Sequence, residues 1–309
     1  MKTNWRFMVL LLVPGTIWGV SFLLTEVALE TIPPLTITAV RTVLAIGLFL
    51  GVMRWYGQKL PRFGRAWIPY FILGFFNDAL PYVLITFGQV YIEGGLATIL
   101  ISMSPIFTLI LAHFFTPDEF ITKEKLVGIL IGLAGIFVLI GPQSVTGQSS
   151  VLWAQLAVIV SALSYAIGTI YMRHLLSKRE NQQFVEQLPQ TLAGQLICTG
   201  IYVIPFSLIF ERPFQLQPSP ASIYAIVAMV VFGSGIALAV YYYLLDQTGP
   251  TFVSVVVYLI PINGVFWGAL LLGEKVGFNA LLALGLILFG ILVVNGRFSR
   301  QLPQPQPKT

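Results

Sequence analysis

Charged residues are scarce in this 309-residue chain. Asp, Glu, Lys and Arg make up 9% of it, whereas a typical soluble domain contains roughly 25%. So few charges cannot cover the surface of a water-soluble protein of this length, which excludes a soluble enzyme, a disordered chain and a nucleic-acid-binding domain. Hydrophobic residues make up 57% of the chain. The composition therefore predicts a polytopic membrane protein whose main partner is the lipid bilayer.

Cysteine, histidine and catalytic motifs are nearly or wholly missing. The single cysteine, Cys198, excludes a disulfide within the chain and is interpreted as a buried, inert thiol. His113 and His174 lie on different predicted helices with no third ligand, so no metal site is expected. The sequence contains no GxSxG, HExxH, P-loop or Rossmann glycine pattern. We therefore expect neither an enzyme nor an ATP-driven pump, and we expect no cofactor.

The apolar residues fall into ten long stretches, which predict ten transmembrane helices. They lack the alternation of a membrane β-barrel. The first stretch meets Glu26 without a signal-peptide cleavage pattern, so it is expected to remain as a helix. The stretches cover approximately 5–29, 34–55, 66–91, 96–115, 126–140, 151–176, 191–210, 221–245, 251–272 and 278–295.

Basic residues are distributed unequally between the two sides of this predicted bundle. With the N-terminus inside, 14 of the 17 Lys and Arg residues lie in inner segments, 2 lie outside, and Arg41 lies within helix 2. The positive-inside rule then predicts that both termini lie in the cytoplasm. The expected location of this multi-pass protein is the plasma membrane, in a bacterium the inner membrane. Residues 297–309 contain three prolines and are predicted to form a disordered cytoplasmic tail.

The two halves of the sequence share several spacings. In each half, a proline is followed thirteen residues later by an acid, Asp118 after Pro105 and Glu274 after Pro261. Other corresponding features are Trp18 and Tyr165, Glu26 and Arg173, and the glycine frames 135–141 and 290–296. These matches predict two five-helix repeats, residues 5–143 and 149–296. Because each repeat has an odd number of spans, the second would be inverted in the membrane.

Together, these residues resemble the drug/metabolite transporter superfamily, in its ten-helix EamA-like branch of amino-acid and metabolite exporters. The features that carry the resemblance are Trp18-Gly19, Pro34 with Arg41, Gly95-Leu96-Ala97-Thr98 through Ser104-Pro105, Gly132, Gly135, Ser164-Tyr165-Ala166 through Arg173, Gln195, Pro261 and Glu274. Glu26, where lysine is frequent in the family, and Asn77-Asp78 depart from the pattern. The resemblance implies a central cavity lined mainly by helices 1, 3, 4, 6, 8 and 9. It also implies that helices 5 and 10 lie at the periphery or mediate a homodimer.

Ionisable residues within predicted helices are the first candidates for function, since a charge inside a membrane is costly. Asp78 lies near the middle of helix 3, close to Pro81, and is interpreted as a cavity-facing group that binds a substrate ammonium or carries a proton. The alternative is a neutral Asp bonded to a neighbouring helix. Arg41 and Glu26 are expected to form a structural pair, with a snorkelling Arg41 as the alternative. Arg173 is interpreted as a cytoplasmic anchor rather than a gate contact.

Aromatic and amide side chains near helix centres complete the predicted substrate site. The residues assigned to it are Trp18, Asn77, Asp78, Tyr82, Tyr165, Tyr242, Asn263 and Trp267. Simple packing is the competing explanation for each aromatic residue. The function predicted from these features is secondary transport of small metabolites, most plausibly amino-acid export. Efflux of drugs or other aromatic or cationic compounds is the first alternative. An ion channel is remote, because no ring of like polar groups is visible.

Overall fold

The computed structural model describes residues 5–115, 121–146, 149–177, 188–248 and 256–294. Within these ranges the chain is helical, with short connections and no strand, which confirms the prediction of an all-α protein. The predicted tail at residues 297–309 and the acid at Asp118 lie outside the described residues.

We number the helical stretches of the described residues α1 to α10. The uninterrupted ones are α1 Trp5–Leu29, α2 Pro34–Trp55, α5 Lys123–Thr146, α6 Ser149–Ser177 and α10 Phe278–Val294. The composite ones are α3 (Arg65–Trp67, Ile68–Leu73, Gly74–Ala79, Leu80–Gly88), α4 (Gly94–Ile101, Ser104–Phe115), α7 (Leu188–Phe206, Ser207–Glu211), α8 (Pro220–Ala228, Met229–Ala237, Leu238–Thr248) and α9 (Val256–Trp267, Gly268–Leu272).

Length and composition make the described helices suitable for crossing a membrane. Seven of them are long and apolar enough to span it, namely those of α1, α2, α3, α4, α6, α7 and α8, and shorter apolar helices cover Leu259–Leu272 and Phe278–Val293. Large apolar side chains such as Trp55, Phe137 and Phe210 are exposed on the outside of the bundle. The exposed apolar surface is the face that lipid would cover.

Five helix–helix contacts dominate the packing of the bundle. Helix α5 packs along α10, α2 along α7, α1 along α9, and α6 against both α3 and α4. We call the end of the bundle that contains Leu29 the distal end and the end that contains Trp5 the proximal end. The largest buried cluster joins α4, α5 and α10 through Ile106, Ile129 and Ile287.

Several helices change to wider π-helical turns along their length. These segments are Gly74–Ala79 in α3, Ser207–Glu211 in α7, Met229–Ala237 in α8 and Gly268–Leu272 in α9. A π segment rotates the side chains that follow it and is frequent at functional sites. The segments in α3 and α8 supply cavity-lining residues, as described below.

Glycines set the distance between α5 and α10. A Cβ atom on Gly290 would lie 2.6 Å from the Gly128 carbonyl oxygen and 2.8 Å from the Gly132 backbone nitrogen. These contacts involve backbone atoms, so the two helices would have to separate to accept a side chain. Gly285, on the same helix, has nothing within 4 Å of its Cβ position.

We predict that Gly290→Ala destabilises the protein by about 1–3 kcal/mol, the usual cost of overpacking a tight contact. Gly285→Ala is the matched control because it adds the same methyl group to the same helix in open space. Thermal unfolding of both variants in detergent measures the difference. Equal midpoints for the two variants would show that the α5–α10 distance is not set by Gly290.

Candidate functional site

A cavity of about 440 Å³ lies between the helices. Residues of α1, α2, α3, α4, α6, α7, α8 and α9 line it, including Trp18, Ser21, Arg41, Asn77, Asp78, Tyr82, Tyr165, Gln195, Gly233, Ser234 and Pro261. Its volume lies in the range of small-molecule sites. The cavity therefore includes five of the predicted site residues, Trp18, Asn77, Asp78, Tyr82 and Tyr165, and also Arg41.

Asp78 lies in the π segment of α3 and is buried, with 6% of its surface exposed. Its Oδ2 atom accepts a hydrogen bond of 2.7 Å from Gln195 Nε2 and one of 3.1 Å from Thr199 Oγ1, both on α7. Hydrogen bonds to an ionised group contribute about 1.5–3 kcal/mol each. The two donors therefore lower the cost of placing a carboxylate inside the bundle.

The close approach of α3 and α7 depends on Gly74. A Cβ atom at this position would lie 2.7 Å from the Gln195 carbonyl oxygen and 3.0 Å from the Thr199 backbone nitrogen. The absence of a side chain brings the α7 backbone against the start of the π segment, four residues before Asp78. Thr199 Oγ1 also lies 3.2 Å from the Gly74 carbonyl oxygen. The local sequence of α3 thus positions Asp78 against its two donors.

Arg41 extends from α2 into the same cavity and lies over the ring of Tyr82. Its guanidinium carbon is 4.3 Å from the ring centroid, within the usual range of a cation–π contact. Tyr82 also interacts with the Asp78 carboxylate. The expected Glu26–Arg41 pair is wrong, because Glu26 accepts a hydrogen bond of 2.9 Å from the Gly94 backbone N–H at the start of α4. Glu26 belongs to the distal end, and Arg41 to the cavity.

Two aromatic residues predicted for the site flank the cavity from opposite halves of the chain. Trp18 donates a hydrogen bond of 3.2 Å from Nε1 to the Gly233 carbonyl oxygen, and its ring packs 5.3 Å from that of Tyr241. Tyr165 lines the cavity from α6. The Asn77 amide contacts the position where Gly168 lacks a side chain, so α6 leaves room for it.

Asn263 and Trp267 lie outside the cavity lining. Asn263 accepts a hydrogen bond of 3.1 Å from Thr16 Oγ1 and donates one of 2.9 Å to the Leu259 carbonyl oxygen, which places it in the α1–α9 contact. Trp267 packs edge-on against Phe266, 5.2 Å between ring centroids. The side chains of Tyr242 and Arg173 lie outside the described residues.

Gln195 and Thr199 were not among the predicted site residues. They are buried polar side chains four residues apart on a mostly apolar helix, so both lie on one face. That spacing is a signal from which a polar face on α7 could have been predicted. Within the part of the chain that the structure describes, no group of His, Cys, Asp and Glu could hold a metal ion.

A layer of hydrogen bonds joins helices at the distal end of the bundle. Carboxylates accept from backbone N–H groups at two helix starts, Glu26 and Glu274 at α4 and Glu211 at α2. Side chains make further contacts, including Gln89 Nε2 to the Phe22 carbonyl oxygen at 2.8 Å and Thr31 Oγ1 to Ser222 Oγ at 2.7 Å. We call this set the distal polar layer. Acids at helix starts are favourable because the exposed N–H groups carry partial positive charge.

Comparisons with known proteins identify the family. The model of the EamA-like transporter family matches residues 5–141 and 152–296. The chain belongs to the EamA-like transporter family. It is thus a multi-pass membrane protein of a transporter family, in agreement with its apolar helices.

Relatives of this EamA-like protein are also named as transporters. The uncharacterized transporter YoaV of Bacillus subtilis (strain 168) is 25% identical over 92% of this chain and 95% of its own. The uncharacterized inner membrane transporter YedA of Escherichia coli (strain K12) is 28% identical over 90% of this chain and 87% of its own. One solved crystal structure of a protein also has this fold, with a TM-score of 0.65 and 17% sequence identity. The match covers 96% of this chain and 100% of that chain. This likeness concerns the fold alone.

The distal polar layer of the EamA-like protein makes its stability depend on pH. Glu274 follows the end of α9, and burial together with the nearby Glu26 and Glu93 carboxylates raises its pKa from 4.5 to about 7. Between these two values the folded protein binds more protons than the unfolded chain. Its stability therefore falls as the pH rises through this interval.

We predict that Glu274→Gln weakens this pH dependence, since the amide oxygen can still accept from the Gly95 N–H but does not titrate. Unfolding midpoints of the two proteins between pH 5 and 8 in detergent provide the measurement. Glu30→Gln, a change at an exposed acid of the same end, is the control and should keep the wild-type slope. An unchanged slope in Glu274→Gln would contradict the assignment.

Proposed function

We propose that the protein is a secondary transporter that exports small zwitterionic metabolites of the amino-acid class across the plasma membrane by alternating access. The observation that carries the proposal is the presence of one acidic and one basic side chain, Asp78 and Arg41, in a single small cavity. An amino acid carries the two complementary charges. The export direction rests on the family resemblance alone.

The α3–α7 side of the cavity offers acceptors for the substrate ammonium. The hydrogen bonds from Gln195 and Thr199 both end on Oδ2 of Asp78. Tyr82 also interacts with this carboxylate, which has about four acceptor sites in all. Oδ1 therefore keeps acceptor capacity. The Oε1 atom of Gln195 is buried and has no hydrogen-bond partner among the described residues. An ammonium with three N–H donors would satisfy both acceptors, which supports this position for the amino group.

The packing of the helices supports the two inverted repeats and alternating access. Exchanging the two predicted five-helix units converts the α1–α9 pair into α6–α4 and leaves the α2–α7 and α5–α10 pairs unchanged, and each of these pairs is in contact. The family model also matches the chain twice, once in each half. In this proposal ten helices form repeats at 5–143 and 149–296, and the proximal end is cytoplasmic.

Two further parts of the proposal concern partners. The lipid bilayer covers the exposed apolar side chains of the bundle, and both termini face the cytoplasm, as the distribution of Lys and Arg predicts. Among the described residues, the α5–α10 pair supplies none that line the cavity. That pair is the surface through which a homodimer would form.

Efflux of drugs or other aromatic compounds is the second candidate, because aromatic rings line much of the cavity. Trp18, Phe22, Phe49, Tyr82 and Tyr165 contribute to its wall. Such rings accept flat apolar molecules. Counterflow in proteoliposomes, with amino acids in one set of vesicles and organic cations in the other, separates the two candidates.

We predict that Asp78→Asn reduces amino-acid counterflow on the order of tenfold or more, because a neutral amide loses the charge that binds the ammonium. Uptake of labelled amino acid into vesicles preloaded with the same compound measures this. Thermal unfolding must show that the variant is folded, and Glu30→Gln is the matched loss of one acidic charge outside the cavity. Wild-type exchange by folded Asp78→Asn would reject the assigned role.

A further inference from the structure

The basic residue of the cavity has unused hydrogen-bonding capacity. Arg41 is half-buried on α2 and lines the cavity. Within the described residues, its guanidinium makes one cation–π contact, with the ring of Tyr82. No hydrogen bond or ion pair joins its guanidinium to another described residue. In a membrane protein such a charge is expensive and marks a site where something polar binds.

The contact with Tyr82 provides the guanidinium with no conventional hydrogen-bond acceptor. The group is planar and carries five N–H donors in its plane. Its carbon lies over the Tyr82 ring, 4.3 Å from the centroid, and no described residue accepts a hydrogen bond from its N–H groups. These donors suit a planar oxyanion, since two parallel bonds to a carboxylate are the arrangement that arginine favours.

Three carboxylates on helices that contact α2 are bonded to other groups. Glu26 binds the start of α4 and Glu211 binds the start of α2. Asp78 influences Arg41 electrostatically, but its hydrogen bonds go to Gln195 and Thr199 on α7. The cavity therefore contains an acid held by neighbouring donors and a cation whose donors are open.

We infer that Arg41 binds the carboxylate of the transported substrate, and that Tyr82 positions its guanidinium. This inference rests on the proposed transport function and makes it more specific, since substrates must carry a carboxylate. Organic cations that lack one leave the Arg41 charge uncompensated and are rejected. Arg41 was assigned a structural role from the sequence, and the cavity gives it a role in specificity.

The test uses the purified full-length protein and ligands that differ in one group. The probes are L-phenylalanine, L-leucine and L-threonine, the amide of each, and 3-phenylpropionate, which has a carboxylate but no ammonium. Titration calorimetry measures binding, and counterflow in vesicles measures transport. Wild-type protein is expected to bind at least one amino acid at least about tenfold more tightly than its amide, and to bind 3-phenylpropionate measurably.

The variants are Arg41→Gln, Arg41→Lys and the control Arg54→Gln, which removes an exposed arginine from the last turn of the same helix. Arg41→Gln should weaken binding of both kinds of carboxylate at least about tenfold and leave the amides unaffected. Arg41→Lys should retain part of the affinity, because the charge remains but the planar fork is lost. It also serves as the test variant if Arg41→Gln does not fold. Arg54→Gln should match the wild type.

The outcomes separate this inference from the transport proposal. Amides that bind as tightly as their amino acids, carboxylate binding that survives in Arg41→Gln, or a wild type that binds none of the carboxylates would overturn the role of Arg41. Arg41-dependent binding of 3-phenylpropionate without exchange of any amino acid would support Arg41 and reject amino-acid transport. Amino-acid exchange that is equal in wild type and Arg41→Gln would support amino-acid transport and reject the role of Arg41.

Discussion

A carboxylate inside an apolar helix bundle must be compensated by groups close to it, and this constraint organises the centre of the molecule. Asp78 has its compensation on one neighbouring helix, where Gln195 and Thr199 both reach the same oxygen. Their bonds require α3 and α7 to approach closely at Gly74. Backbone contact, π segment and hydrogen-bonded acid are therefore parts of one arrangement, and the other cavity residues are positioned around it.

The π segments of α3 and α8 contribute different kinds of side chain to the cavity wall. The π segment of α3 contributes Asn77 and Asp78, whereas the corresponding segment of α8 contributes Gly233 and Ser234. The α3 segment thus contributes a charge and an amide to the cavity wall, whereas the α8 segment contributes small, uncharged groups. In the proposed function, the first orients a polar substrate and the second leaves room for it.

The sequence was informative about depth along the helix axis and less so about which way a side chain points. Apolar runs located the helices, and the cost of burying charge identified Asp78 and Arg41. Asn263 lies in the α1–α9 contact and Trp267 packs against its own neighbour Phe266, and neither lines the cavity. In a membrane helix both the lipid face and the packed face are apolar, so periodicity does not separate them. The π segments further change the direction of the residues that follow.

The Glu26–Arg41 pairing failed for a related reason. Opposite charges on consecutive helices suggest a salt bridge, but the start of α4 offered Glu26 a backbone N–H donor at its own depth. Helix starts carry unsatisfied N–H groups that the chain must bond, and these are invisible in a count of charged side chains. Glu211 and Glu274 also accept hydrogen bonds from backbone N–H groups at helix starts. These acids of the distal end therefore bind backbone donors rather than arginine.

The absence of a hydrogen bond or ion pair between Arg41 and any described acid has an energetic consequence for the proposed transport. A cavity with one acidic and one basic side chain is balanced as a whole, and a zwitterion that binds both leaves that balance unchanged. Moving a cationic substrate through a membrane potential of 100 mV involves about 2.3 kcal/mol of electrical work per charge, whereas a zwitterion involves none. Matched opposite charges in the cavity thus suit a substrate whose own charges are matched, and such a substrate moves no net charge of its own through the membrane potential.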